Sequence, residues 1–145
     1  MAFVAAPPGS GKSFWIDSHP GWTDQDEWAL GLGIHSLEWH ASPHTQSEDD
    51  AHYAAIDVKT EAARQSGVCL LGALYIGIIP NAIVLIDRDV HHERCAHRDD
   101  LEWEEVEKIT AWMVEHATKH GVPIYDNFDA AAAATSKHIS DHTAR

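Results

Sequence analysis

The chain has 145 residues, of which 44% are hydrophobic and 23% charged, proportions that suit a soluble protein of one globular domain spanning residues 1–145. Ten Lys and Arg stand against 23 Asp and Glu, a formal net charge of −13 that disfavours a general nucleic-acid surface unless positive charge is gathered in one place. No apolar run reaches membrane-spanning length, the first six residues lack the basic flank of a signal peptide, and two cysteines make no disulfide framework, so the expected setting is cytoplasmic and reducing.

Residues 2–6 read as a short buried strand that runs straight into Ala6-Pro7-Pro8-Gly9-Ser10-Gly11-Lys12-Ser13. This matches the pattern G-x-x-x-x-G-K-[S/T] with a small residue, Ala6, in first place. Phosphate binding by backbone N–H groups needs a turn that tolerates positive φ with no side chain in the way, which Gly9 and Gly11 allow. A helix from Gly11 to about Ser18 points its N-terminus at the anion, Lys12 reaches the β- and γ-phosphates, and the Ser13 hydroxyl is placed to ligate Mg²⁺. Residues Pro8 to Ser13 are therefore the expected nucleotide-binding loop, with ATP and Mg²⁺ as ligands.

After a turn at His19-Pro20-Gly21, Asp24 and Asp26 fall at the end of a second strand. At alternate positions both carboxylates would face the cleft, Asp24 to accept the proton of an attacking hydroxyl or hold metal-bound water, Asp26 as its partner. Residues 27–44 have poor periodicity and read as a short helix plus irregular loops. Their Trp28, His35, Trp39, His40 and His44, with Trp22 just before, are a candidate acceptor-side surface on which a flat ring could stack.

Helical spacing returns over 48–65, with Ser47 as N-cap and Ala51, Ala54, Ala55, Val58, Ala62 and Ala63 on one small-residue face. Residues 68–75 and 81–87 read as buried strands. The first carries Gly72 where compact kinases place an acidic residue, and Asp87, closing the second, is left open between a metal role and a structural one. The segment 88–98 concentrates Arg88, Arg94 and Arg98; Arg94 and Arg98 share a helical face and are candidates for neutralising a transferring phosphoryl group. His91, His92, Cys95 and His97 lie in the same stretch but fit no standard zinc spacing. Asp99-Asp100 are expected to cap a long helix ending near His120, with Leu101, Val106, Ile109, Met113 and Ala117 along its buried face and Trp103 and Trp112 as packing residues. A short strand over 122–125 and a helix over 129–134 follow, with a frayed tail after Ser136.

Alternating strands and helices with continuous apolar strands indicate an α/β protein with a parallel sheet of four or five strands covered on both faces. With the P-loop, aspartate pair, buried strands and arginine segment in this order, the chain resembles the small P-loop kinases of the nucleoside/nucleotide kinase type. It is similar in layout to adenylate, gluconate and shikimate kinases and to the kinase domain of polynucleotide kinases. That resemblance implies a five-stranded sheet in order 2-3-1-4-5, an arginine-bearing lid over about 88–100 and an acceptor-binding region over about 24–45. It also implies transfer of the ATP γ-phosphoryl group to a nucleoside, a nucleotide or a modified DNA base such as 5-hydroxymethyluracil, by a monomer or homodimer. The competing reading is a regulatory ATPase module that acts through a protein partner.

Overall fold

The computed structural model describes residues 1–31, 39 and 42–143. In chain order its elements are β1 (Ala2–Ala5), α1 (Lys12–Asp17), β2 (Thr23–Asp24), α2 (Gln25–Gly31), α3 (Gln46–Gln65), β3 (Cys69–Gly72), β4 (Ala82–Val84), α4 (Arg88–Ala96), α5 (Trp103–His120), β5 (Ile124–Tyr125) and α6 (Phe128–Thr143). The five strands form one sheet in the order β2-β3-β1-β4-β5, with every neighbouring pair parallel. Strand β1 is central: Ala2 to Ala5 pair with Cys69 to Gly72 on one side, and Val4 and Ala5 pair with Ala82 and Ile83 on the other. A strand enclosed in this way must be apolar throughout, and all four of its residues are buried.

Alternate side chains supply two cores. Phe3, Ala5, Leu70 and Ile83 face one layer, where they meet Ala63 of α3 and Met113 and Ala117 of α5. Val4, Leu71, Ala82 and Val84 face the other, against Trp15 and Ile16 of α1, Trp22, and Phe128 and Ala131 of α6. The result is a three-layer α/β architecture. Because the strands are parallel, the loops leaving β1, β2 and β3 emerge along one rim, where a ligand cleft belongs in such sheets.

Several expectations need correction. Helix α3 starts from Thr45 rather than Ser47: the Thr45 hydroxyl accepts from Glu48 N–H at 3.1 Å, and the Glu48 carboxylate accepts from Thr45 N–H at 3.2 Å. Its buried side is His52, Ile56, Asp57, Thr60 and Ala63, whereas Ala51, Ala54, Ala55, Val58 and Ala62 face solvent. The apolar pattern misleads here because three of the buried residues are polar with structural duties. Asp57, for one, accepts hydrogen bonds from the backbone N–H of Ile76 and Gly77. Asp87 is the N-cap of α4, its carboxylate accepting from Asp89 N–H and Val90 N–H at 3.0 and 3.1 Å. Asp100 caps nothing; it pairs with Arg98, and α5 begins at Trp103. Helix α6 runs to Thr143, well past the expected end at residue 134. No described helix is long and apolar enough to cross a membrane.

Strand β3 stops at Gly72 rather than residue 75 because Leu74 bonds elsewhere. Its N–H donates to Gln25 Oε1 at 3.0 Å and its carbonyl accepts from Gln25 Nε2 at 2.8 Å, while Nε2 also donates to Thr60 Oγ1 at 2.8 Å. Gln25 is completely buried, and its side chain occupies the space a β-carbon on Gly72 would need: that carbon would lie 2.2 Å from Gln25 Oε1 and 2.5 Å from its Cβ. Gly72 is thus glycine because Gln25 is there. Gly72→Ala is expected to destabilise the fold by about 1–3 kcal/mol through overpacking. Combined with Gln25→Ala it should cost less than the sum of the two separate losses, a coupling that urea denaturation of the single and double variants would measure.

Candidate phosphate-binding site

The P-loop turns back on itself between β1 and α1. Gly9 and Gly11 take φ of +77° and +96°, conformations open to glycine and costly for other residues. The buried Ser10 hydroxyl donates to the Pro7 carbonyl at 2.7 Å and closes the turn. Lys12, the first residue of α1, curls back so that Nζ donates to the carbonyls of Ala6 at 3.1 Å and Pro7 at 3.0 Å. Removal from water lowers its pKa to about 8, against the opposing pull of the Asp26 and Asp24 carboxylates.

Strand β2 carries Asp24 to the same rim, across β3 from the P-loop. The Ser13 hydroxyl donates to Asp24 Oδ2 at 3.2 Å, and Asp24 Oδ1 accepts from Asp26 N–H at 2.8 Å, so one carboxylate meets the P-loop and holds the start of α2. Asp24 is buried and Asp26 exposed. The two aspartates, Lys12, Ser13 and Arg98 line one cleft of about 290 Å³, whose walls also include Phe14, Tyr53 and Leu74. The structure therefore brings together Gly9, Gly11, Lys12, Ser13, Asp24, Asp26 and Arg98 in a single concavity.

Arg94 occupies a different place. Its Nη1 donates to the Ser10 carbonyl at 2.7 Å and lies where a β-carbon of Gly11 would come within 2.6 Å. It braces the back of the loop. Arg98 faces the cleft but is held by a two-pronged pair with Asp100, at 3.0 and 2.6 Å, which raises the Arg98 pKa and lowers that of Asp100. Arg88 is remote, paired with Glu107 and lying over the Trp103 ring.

Two further residues of α4 reach the loop. His91 Nε2–H donates to the Pro8 carbonyl at 2.8 Å, which sets the tautomer, and Cys95 Sγ lies 3.8 Å from the same oxygen. A β-carbon on Gly9 would fall 2.6 Å from that sulfur. Burial pushes the Cys95 thiol pKa up, so it remains an uncharged packing group. The histidine and cysteine that suggest metal chemistry in sequence instead carry one face of α4 onto the P-loop. Their spacing with Arg94 (91, 94, 95) is the signal, since these positions share a helical face.

The aromatic cluster divides. Trp28 packs on the core under α3 and α5, and Trp22 on the opposite core; His44 and His52 stack on Trp39, with ring centroids 3.4 and 3.9 Å away. His35 and His40 lie outside the described residues. Trp112, expected to be a packing residue, is 37% exposed and stands on an apolar pocket beside the cleft.

A lysine-bearing glycine loop between the central strand and its helix, in a parallel sheet of order 2-3-1-4-5, decides the class. The fold is that of a P-loop NTPase. No family model and no curated protein matches the chain. This architecture makes the loop a nucleotide-binding module suited to phosphoryl transfer.

The lowered Lys12 pKa gives a test of that module. Above about pH 8 the free chain holds Lys12 largely as the neutral amine, whereas a bound triphosphate favours the ammonium. Triphosphate binding at about pH 9 is expected to take up between about half and one proton, falling toward zero near pH 6.5. Calorimetry in buffers of different ionisation enthalpy measures this, and Lys12→Met should abolish the uptake. For folding the sign is opposite, because folding releases the proton that triphosphate binding takes up: a depressed lysine pKa makes the native state relatively more stable as pH rises from about 8 toward the unfolded value of 10.5.

Proposed function

We propose that the chain is an ATP-dependent phosphotransferase that moves the γ-phosphoryl group to an acceptor of the nucleoside, nucleotide or modified-base class. The observation that carries this reading is the Ser13–Asp24 hydrogen bond of 3.2 Å in the cleft that Lys12 and Asp26 also line. A P-loop alone serves any NTPase. A second strand-end carboxylate joined to the loop's hydroxyl adds what phosphoryl transfer to a hydroxyl needs, a metal ligand and a proton acceptor beside the γ-phosphate.

The donor set fits Mg²⁺, since a serine hydroxyl and a carboxylate are hard oxygen ligands. When bound, Mg²⁺ would supply charge neutralisation on the β- and γ-phosphate oxygens, held by Ser13 and, directly or through water, by Asp24. The backbone N–H groups from Gly9 to Ser13 cradle the phosphates. Lys12 exchanges its two carbonyl partners for phosphate oxygens, a trade of neutral acceptors for anionic ones that strengthens each bond. The acceptor oxygen attacks the γ-phosphorus as the bond to the β-bridging oxygen breaks, ADP leaves, and the acceptor's proton passes to the Asp24/Asp26 carboxylate pair. Arg98, released from Asp100, is in position to meet the charge on the moving group, and Arg94 keeps the loop in shape from behind.

Asp24→Asn is expected to lower kcat by about 10²- to 10⁴-fold while changing the ATP Kd by less than about threefold. Labelled-phosphate transfer and equilibrium binding on the same samples separate the two effects. A regulatory ATPase acting through a protein partner would show slow hydrolysis, no acceptor dependence and little response to this substitution.

A further inference from the structure

The P-loop cleft continues into a second pocket of about 330 Å³, and the two share Pro8, Tyr53, Ala73 and Leu74. The added walls are Tyr75, Ile76, Ile109 and Trp112. The pocket is thus apolar, rich in aromatic surface and open at one end to the phosphates. Tyr75 is 5% exposed, and its hydroxyl has no hydrogen-bond partner among the described residues. Desolvation raises the Tyr75 pKa, which keeps that hydroxyl a donor. We propose that this pocket seats the phosphoryl acceptor, and that the acceptor is an uncharged alcohol bearing a flat ring, in chemical class an unphosphorylated nucleoside.

The proposal rests on the kinase reading above and narrows it by charge. An acceptor that already carries a phosphate needs cations on its own side of the cleft, because an unpaired dianion in an apolar pocket is strongly disfavoured. No cation lines this pocket. Of the cleft's positive groups among the described residues, Lys12 and Arg98 are both taken up by the transferring phosphate in the reading above, and Arg94 is bound to the Ser10 carbonyl behind the loop. Elsewhere Arg64 is tied to Glu61 and to the Ile79 carbonyl, and Lys108 to Glu105. Lys119 lies beyond Trp112 in an adjoining polar groove that shares Ile76 and Trp112 with this pocket and that Glu115 also lines. Residues 32–41, in the stretch read as the acceptor side, contain no Lys or Arg at all. A net charge of −13 works equally against a polynucleotide acceptor. The aromatic walls, by contrast, suit the face of a base.

The test uses the full chain with Mg²⁺ and a non-hydrolysable ATP analogue, titrated calorimetrically with four unphosphorylated nucleosides, their 5′-monophosphates and free ribose. Labelled-phosphate transfer from ATP is run in parallel, with a hydroxymethyl-base oligonucleotide added to the panel. The expected result is that at least one nucleoside binds and is phosphorylated with kcat/KM on the order of 100-fold above its monophosphate and above ribose. Trp112→Ala, at a partly exposed site, should raise the nucleoside Kd by about tenfold with the ATP Kd changed less than about twofold. Ile76→Arg, also at an exposed site, should narrow the gap between nucleoside and monophosphate. Equal or better use of monophosphates, ribose or the oligonucleotide, or nucleoside binding indifferent to Trp112, overturns the proposal and leaves the kinase reading standing. Nucleoside binding that depends on Trp112 without any transfer sinks the kinase reading and with it the acceptor role of the pocket, leaving a nucleoside-binding site alone. Absence of both binding and transfer across the panel overturns both.

Discussion

The cleft depends on one buried amide. Gln25 satisfies both of its polar ends inside the protein, on Leu74 and on Thr60, and so joins the end of β2, the exit of β3 and the middle of α3. Buried side-chain amides are costly unless paired, and a fully paired one fixes its neighbours in a single arrangement. Two consequences matter for the site. Asp24, the preceding residue, is held at the height of Ser13, and Ala73 and Leu74 are drawn out of the sheet to form the wall shared by the two pockets. The absent acidic residue at the end of β3 has the same origin, since Gly72 makes room for this amide.

From the other side the P-loop is braced by α4. His91, Arg94 and Cys95 reach the carbonyls of Pro8 and Ser10, so backbone oxygens that point away from the phosphate side have partners in a helix rather than in solvent. This leaves the loop's N–H groups for the anion. It also makes α4 more than an arginine carrier: the helix supports the loop's far face and ends at Ala96, so Arg98 reaches the cleft from beyond it rather than from a helical face shared with Arg94. Asp87 starts that helix by capping it, which gives the acidic end of β4 a structural role.

Much of this was legible in sequence, and the reasons differ by residue. The P-loop is contiguous and each of its positions is constrained by contact with phosphate, so eight residues after an apolar strand suffice to name it. Asp24 is legible in place, because a carboxylate that closes a short strand ahead of a helix falls at the sheet's rim, where it meets Ser13 and also holds the start of α2. Gln25 was illegible, since a buried glutamine beside two aspartates reads as one more polar residue of a turn. The buried face of α3 was missed for a related reason: His52, Asp57 and Thr60 interrupt the apolar period because they anchor loops. His91 and Cys95 fit no zinc spacing, and their helical spacing with Arg94 points to packing, but only the fold shows that the surface they pack on is a loop some 80 residues earlier. Tyr53, Tyr75 and Trp112 come from three separate segments, and only the folded chain shows that they share a pocket.

The two outer strands, β2 and β5, are each two residues long. A sheet grows across molecules when a free rim offers several consecutive unpaired amides and carbonyls, and two residues offer too few to template another strand. The long apolar strands lie inside, where both neighbours are already taken. Together with thirteen surplus negative charges that make copies repel, this brevity guards the chain against cross-molecule strand pairing while its most hydrophobic segments are being assembled. The arrangement that places Asp24 at a sheet's margin thus also keeps that margin from becoming adhesive.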